Sequence, residues 1–179
     1  MHIRIISGKY KGRRIKAPKN LPVRPTTDRA KEALFNILQN RVYIPELTIL
    51  DLFTGTGNVA YEFASRGAKH ILAVDNNYFV TKFVHQTARE FDFPIKVFKK
   101  DVLKFLASTR LKFDLIFADP PYDMNIELQK KMIDLVFERQ LLNEDGFFIL
   151  EHIDKIDFSE HPRFDFSRKY GLSTFSFFK

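Results

Sequence analysis

From residue 48 onward the apolar positions follow two alternating patterns. Short, nearly continuous runs at 48–52, 70–74, 95–98, 113–118 and 147–150 have the length and the β-branched or aromatic content of buried strands. Between them apolar residues return at helical spacing. Phe79, Phe83, Val84, Thr87, Ala88 and Phe91 do so after the second run, and Leu128, Met132, Leu135 and Val136 before the fifth. Alternating strands and helices predict an α/β fold with a parallel sheet and right-handed crossovers. Two further β-prone stretches, 164–169 and 173–178, meet around Tyr170-Gly171 and are expected to close the sheet as a hairpin.

Ahead of this block, residues 3–6 and 13–16 are short β-prone runs separated by turn residues between Gly8 and Gly12, which predicts another hairpin. Pro18, Pro22 and Pro25 then make an extended connector. Thr27 or Asp28 is placed to cap a helix whose Ala30, Ala33, Leu34, Ile37 and Leu38 share a face. The expected organisation is a hairpin and connector over residues 1–26 and one α/β domain over 27–179, with no internal repeat.

Charge sharpens this division. The chain has 179 residues and a net charge of +7. Arg4, Lys9, Lys11, Arg13, Arg14, Lys16, Lys19 and Arg24 all precede Asp28, the first acidic residue, and the remainder is almost balanced. A concentrated basic segment is the usual footprint of a phosphate backbone, although a solvated tail has the same composition. Charges interrupt every apolar stretch near the start, so neither a signal peptide nor a membrane span is expected and the cytoplasm is the default. Cysteine is absent, which excludes disulfides and cysteine-ligated metals. The five histidines lack ligand-like spacing, and no metal site is expected. Twenty phenylalanines without a tryptophan are read mainly as core.

The first long strand ends in Asp51-Leu52-Phe53-Thr54-Gly55-Thr56-Gly57, and Asp75 closes the second. In a doubly wound sheet this is the ligand crevice: the glycines let the backbone turn and approach a ligand, and the acid about 20 residues on accepts hydrogen bonds from ribose hydroxyls. The glycines and Ala60 also satisfy a loose dinucleotide fingerprint, so NAD remains a rival on glycines alone. Asp51 favours S-adenosylmethionine, because a carboxylate there suits an ammonium group and repels a pyrophosphate. Asp101, after the third strand, can accept from an adenine amine, cap the following helix, or do both. Phe53, Asn76 and Val102 are counted with these as cofactor-binding candidates.

The fourth strand runs into Asp119-Pro120-Pro121-Tyr122. An exocyclic base amine is a poor nucleophile because its lone pair is delocalised into the ring. The Asp119 carboxylate and the Pro120 carbonyl can each accept one N–H, localising the lone pair and aiming it, while the prolines fix the carbonyl's direction and Tyr122 stacks on the base. Asp119, Pro120 and Tyr122 are therefore the candidate catalytic residues.

Together these segments resemble the bacterial family of 16S ribosomal RNA guanine-N2 methyltransferases. The resemblance rests on Arg4-Ile5-Ile6-Ser7-Gly8 with Gly12-Arg13, on Arg24-Pro25-Thr26-Thr27-Asp28-Arg29 running to Phe35-Asn36, on the glycine loop, and on Asp119 to Tyr122. It implies a Rossmann-like class I S-adenosylmethionine-dependent methyltransferase with a seven-stranded, mostly parallel sheet and an N-terminal basic hairpin. It further implies a substrate guanine in 16S ribosomal RNA, within an assembling small subunit. A monomer is the default expectation, on which the sequence itself is silent. On matching positions Asp51, Gly55 and Gly57 would hold the methionine end, Asp75 the ribose and Asp101 the adenine. Arg4, Lys9, Lys11, Arg13, Arg14, Lys16 and Arg24 would meet RNA. Thr54, Asn58 and Ala60 depart from the family's small residues and further glycine, and Asp75 stands where glutamate is common. A DNA adenine-N6 or cytosine-N4 methyltransferase and a non-catalytic RNA-binding assembly factor are the alternative readings.

Overall fold

The computed structural model describes residues 1–24 and 26–179; Pro25, counted above in the connector and in the family motif, lies outside the described residues. Seven strands form one sheet: β3 (Thr48–Leu52), β4 (His70–Asp75), β5 (Ile95–Lys99), β6 (Phe113–Ala118), β7 (Leu142–Ile153), β8 (Phe164–Tyr170) and β9 (Ser173–Phe178). Their order is β5-β4-β3-β6-β7-β9-β8. The first five pair in parallel, and β9 joins β7 and β8 antiparallel. A separate two-stranded hairpin, β1 (His2–Arg4) with β2 (Arg14–Lys16), precedes them. The expected fold class is the observed one.

Alternation along the strands separates two cores. Ile49, Ile71, Leu115, Phe117 and Ile149 face a layer made by the hairpin, α1 (Asp28–Gln39), α2 (Asn58–Ser65) and α3 (Tyr78–Glu90). Leu50, Leu72, Ile116, Phe148 and Leu150 face α4 (Val102–Ser108) and α5 (Ile126–Glu138). Many of the phenylalanines are indeed core, including Phe35, Phe63, Phe113, Phe117, Phe148 and Phe177. The fifth long strand extends well beyond the apolar run 147–150. The added residues include Asn143 to Gly146, where the register with β6 shifts between Phe113 and Leu115 and Asp145 takes a φ of 63°.

The basic hairpin is not a loose appendage. Ile3, Ile5 and Ile15 are buried in the same core as Phe35 and Phe63. The hairpin's backbone is tied to α2: Glu62 accepts from the Ile6 and Ser7 N–H groups, both at 3.0 Å, and the Ser65 hydroxyl donates to the Ser7 carbonyl at 2.6 Å. A Cβ on Gly8, whose φ is 88°, would stand 2.0 Å from the Ser65 carbonyl oxygen, so only glycine permits this approach. Lys31 of α1 completes the junction. Its ammonium, fully buried, reaches the Arg4 carbonyl at 2.6 Å, Asn58 Oδ1 at 2.7 Å and Glu62 at 3.3 Å.

Candidate active site

The strand order reverses beside β3, which has β4 on one side and β6 on the other, so the carboxyl ends of these strands form a crevice at the topological switch point. Register brings the acids together: Asp51 lies beside Ala73 and Phe117, and Leu52 beside Val74 and Ala118, putting Asp75 and Asp119 one residue further on. A cleft of about 370 Å³ opens there, lined by Arg24, Asp51, Phe53, Gly55, Asp75, Asn76, Asp119, Pro120 and Tyr122 among others.

Each acid has its own environment. Asp51 is only 2% exposed and accepts a hydrogen bond from the Thr54 hydroxyl at 2.7 Å. Burial, reinforced by the Asp119 and Asp75 carboxylates and opposed by Thr54, pushes its pKa up to about 7. Asp75 is bound by the N–H groups of Gly55 and Asn77, both at 3.1 Å, and burial raises its pKa as well. Phe53, with a φ of 57°, holds a left-handed conformation that side chains other than glycine seldom adopt. Three crowded carboxylates against one guanidinium make the cleft a cation-seeking site, and the ammonium and sulfonium of S-adenosylmethionine fit that donor set.

Asp119 follows β6, and burial raises its pKa to about 6 although Arg24 opposes the shift. The Arg24 guanidinium lies 3.4 Å from Asp119 Oδ1 and stacks on Tyr122, its central carbon 3.3 Å from the ring centre. Among the described residues, no hydrogen bond reaches the Pro120 carbonyl, which is thus free to accept one. Tyr122 is 57% exposed even with Arg24 over its ring.

Three expected cofactor residues stand apart. Asp101 is exposed and caps α4, accepting from the Lys104 N–H at 3.0 Å, which is the capping role its position also allowed. Val102 is buried in the core beneath α4. Gly57 starts α2 rather than lining the cleft; with a φ of 83° its Cβ would stand 2.4 Å from the buried Tyr61 ring, so it serves packing. The hairpin cations divide similarly. Arg4 pairs with Asp28 at 3.1 Å, whereas Lys9, Lys11, Arg13, Arg14 and Lys16 are exposed and, among the described residues, form no ion pair.

Sequence reasoning missed Glu151. It is 5% exposed in β7, and its Oε2 has no hydrogen-bond partner among the described residues. Burial, then the Asp119 carboxylate, pushes its pKa up to about 8. With Gln129 it lines a small recess behind the Asp119-Tyr122 turn. Its signal was the one that found Asp51 and Asp119: an acid directly after an apolar strand run. No group of acidic, histidine or cysteine residues among those described could hold a metal ion.

Comparison with known proteins finds relatives in sequence and in overall fold. A family model described as "Conserved hypothetical protein 95" matches residues 3–179. The chain is 34% identical over 163 residues to "Putative rRNA methyltransferase YlbH" of Bacillus subtilis (strain 168), covering 88% of this chain and 86% of that one. It is 35% identical over 158 residues to "Ribosomal RNA small subunit methyltransferase D" of Buchnera aphidicola subsp. Acyrthosiphon pisum (strain APS), covering 86% and 79%. Among solved structures, "Putative methyltransferase yhhF from Escherichia coli" superposes with a TM-score of 0.86 at 25% identity, covering 99% of this chain and 97% of that one.

Proposed function

The chain belongs to the family described as Conserved hypothetical protein 95, and on that premise we propose that it is an S-adenosylmethionine-dependent methyltransferase acting on the exocyclic N2 of a guanine in 16S ribosomal RNA. Its small-subunit-methyltransferase relatives support the substrate. The observation that carries the reading is one cleft holding both the buried, cation-seeking Asp51 and the Asp119-Pro120-Pro121-Tyr122 turn.

When bound, the cofactor supplies an electrophilic methyl group. Asp51 holds its ammonium, and Asp75, already steadied by the glycine-loop backbone, accepts from ribose hydroxyls. Asp119 and the Pro120 carbonyl accept the two N–H bonds of the guanine amine. Holding two reactants in attack geometry can contribute roughly 7–11 kcal/mol, so positioning is the main demand on these residues. Tyr122 stacks on the flipped base, and Asp119 takes the proton that the methylated amine sheds. The exposed cations of the hairpin neutralise phosphates of the surrounding RNA. The natural substrate is an assembling small subunit, which places the enzyme in the cytoplasm. No helix among the described residues is long and apolar enough to cross a membrane.

The test is to incubate the protein and methyl-labelled S-adenosylmethionine with undermethylated small subunits, naked ribosomal RNA or duplex DNA, and to identify the labelled nucleoside by mass spectrometry. N2-methylguanosine from RNA is expected. Methylated adenine or cytosine from DNA would keep the mechanism and overturn the target.

A further inference from the structure

Most phenylalanines here are wholly or partly buried, but Phe79 is 64% exposed, and its neighbour Tyr78 is 55% exposed. The two rings meet edge to face, 5.5 Å apart, at the start of α3. Two adjacent exposed rings offer faces on which a flat base can stack. Phe79 borders a groove of about 540 Å³, walled by Lys82 and Phe83 of α3 on one side and by Pro18, Leu21 and Pro22 of the connector on the other. Pro22 and Asn77 line both this groove and the active-site cleft, so the two adjoin.

Charge identifies the occupant. Neither segment that builds the walls, residues 1–27 and residues 76–89, contains an aspartate or a glutamate. Lys82 lies with its ammonium 5.9 Å from the Tyr78 ring, and Lys19 is exposed beside Pro18. Flat rings and proline faces edged by lysines, with no acid to repel a phosphate, match a nucleotide better than a peptide, because aromatic faces stack on any base while the cations follow the backbone.

We propose that the groove is a second nucleotide subsite, in which Phe79 stacks the unpaired base next to the target guanine while Lys82 meets its phosphate. This rests on the RNA-methyltransferase reading above. A guanine drawn into the cleft pulls its neighbour out of the stack, and the adjoining groove gives that neighbour a surface to replace it.

Binding is to be measured with a single-stranded RNA heptanucleotide carrying a central guanosine, against the same strand made abasic on both sides of it. Phe79→Ala should weaken binding of the intact strand roughly five- to hundredfold, the range for loss of one base–aromatic stack, with S-adenosylmethionine affinity and melting temperature unchanged. Phe79→Trp should restore binding. Because the chain has no tryptophan of its own, that variant also reports stacking by fluorescence quenching, which the abasic strand should lack. The abasic change should cost the unaltered protein as much as Phe79→Ala does and cost the alanine variant almost nothing more, as expected of partners in one contact. Equal abasic penalties in the two proteins, or normal binding and methylation by Phe79→Ala, would overturn the subsite. Lack of N2-methylguanosine with the unaltered protein would instead overturn the functional reading on which it rests.

Discussion

The Arg24 guanidinium lies flat on the Tyr122 ring, 3.3 Å from its centre, and the same group reaches the Asp119 carboxylate at 3.4 Å. One side chain thus covers the aromatic face and neutralises the acid that the reaction assigns to a base. In the proposed reaction a guanine stacking on this face of Tyr122 would displace Arg24 and free it to meet a phosphate of the same strand.

This arrangement sets a pH dependence. In the proposed reaction Asp119 accepts N–H as a carboxylate, so kcat/KM for RNA at saturating cofactor should fall as the pH drops through about 6. Arg24 holds that pKa down against burial. Arg24→Ala should therefore move the acid limb to higher pH, and a limb that stays put or moves lower would separate it from Asp119. Asp119→Ala should abolish transfer while cofactor affinity, measured by calorimetry, stays nearly constant; equal loss of both would contradict its placement at the base.

Asp51 makes cofactor binding pH-dependent in its own way. The ammonium needs the carboxylate ionised, so affinity should rise about tenfold per pH unit below its pKa of about 7 and level off above. Because folding raises that pKa from 3.8, the group's contribution to stability is full below 3.8 and is lost as the pH rises through about 7. S-adenosylmethionine should accordingly raise the melting temperature more at pH 8 than at pH 5. Asp51→Asn should flatten both trends; a variant that retained them would point to another group.

The junction between Lys31 and Glu62, both fully buried, should be among the most sensitive points in the fold. Burial lowers the Lys31 pKa while Glu62 opposes that shift. Removing one partner of a buried pair costs about 3–5 kcal/mol, and Glu62→Ala also orphans the Ile6 and Ser7 N–H groups. Urea unfolding should show a loss of that order, with the Lys31→Met and Glu62→Met double change recovering part of it. A loss below about 1 kcal/mol would mean the hairpin is held by its isoleucines alone.

Arg13 and Arg14 are exposed and unpaired among the described residues. Replacing both with alanine should weaken RNA binding and reduce the slope of log affinity against log salt by roughly 1.4 for single-stranded contacts. An unchanged slope would remove the hairpin from the phosphate contacts.

Hydrophobic periodicity determined the α/β class and the seven strands of the sheet, and the glycine loop with the acids at the strand ends marked the crevice where Asp51, Asp75 and Asp119 converge. These features are local: a strand buried on both faces must be apolar along its length, so an acid at its carboxyl end stands out. Glu151 carried the same mark and was legible in principle. The rest depended on residues far apart in the chain. Arg24 and Tyr122 meet only because the connector crosses the ends of β3 and β6. Lys31 reads as one polar position on an amphipathic helix until α2 brings Glu62 and Asn58 against it, and the cap that Asp101 makes on α4 is visible only once the helix forms. Periodicity states which face of an element is buried; which charges meet beneath that face is decided by packing, because desolvation and Coulomb energies depend on neighbours that only the folded chain supplies.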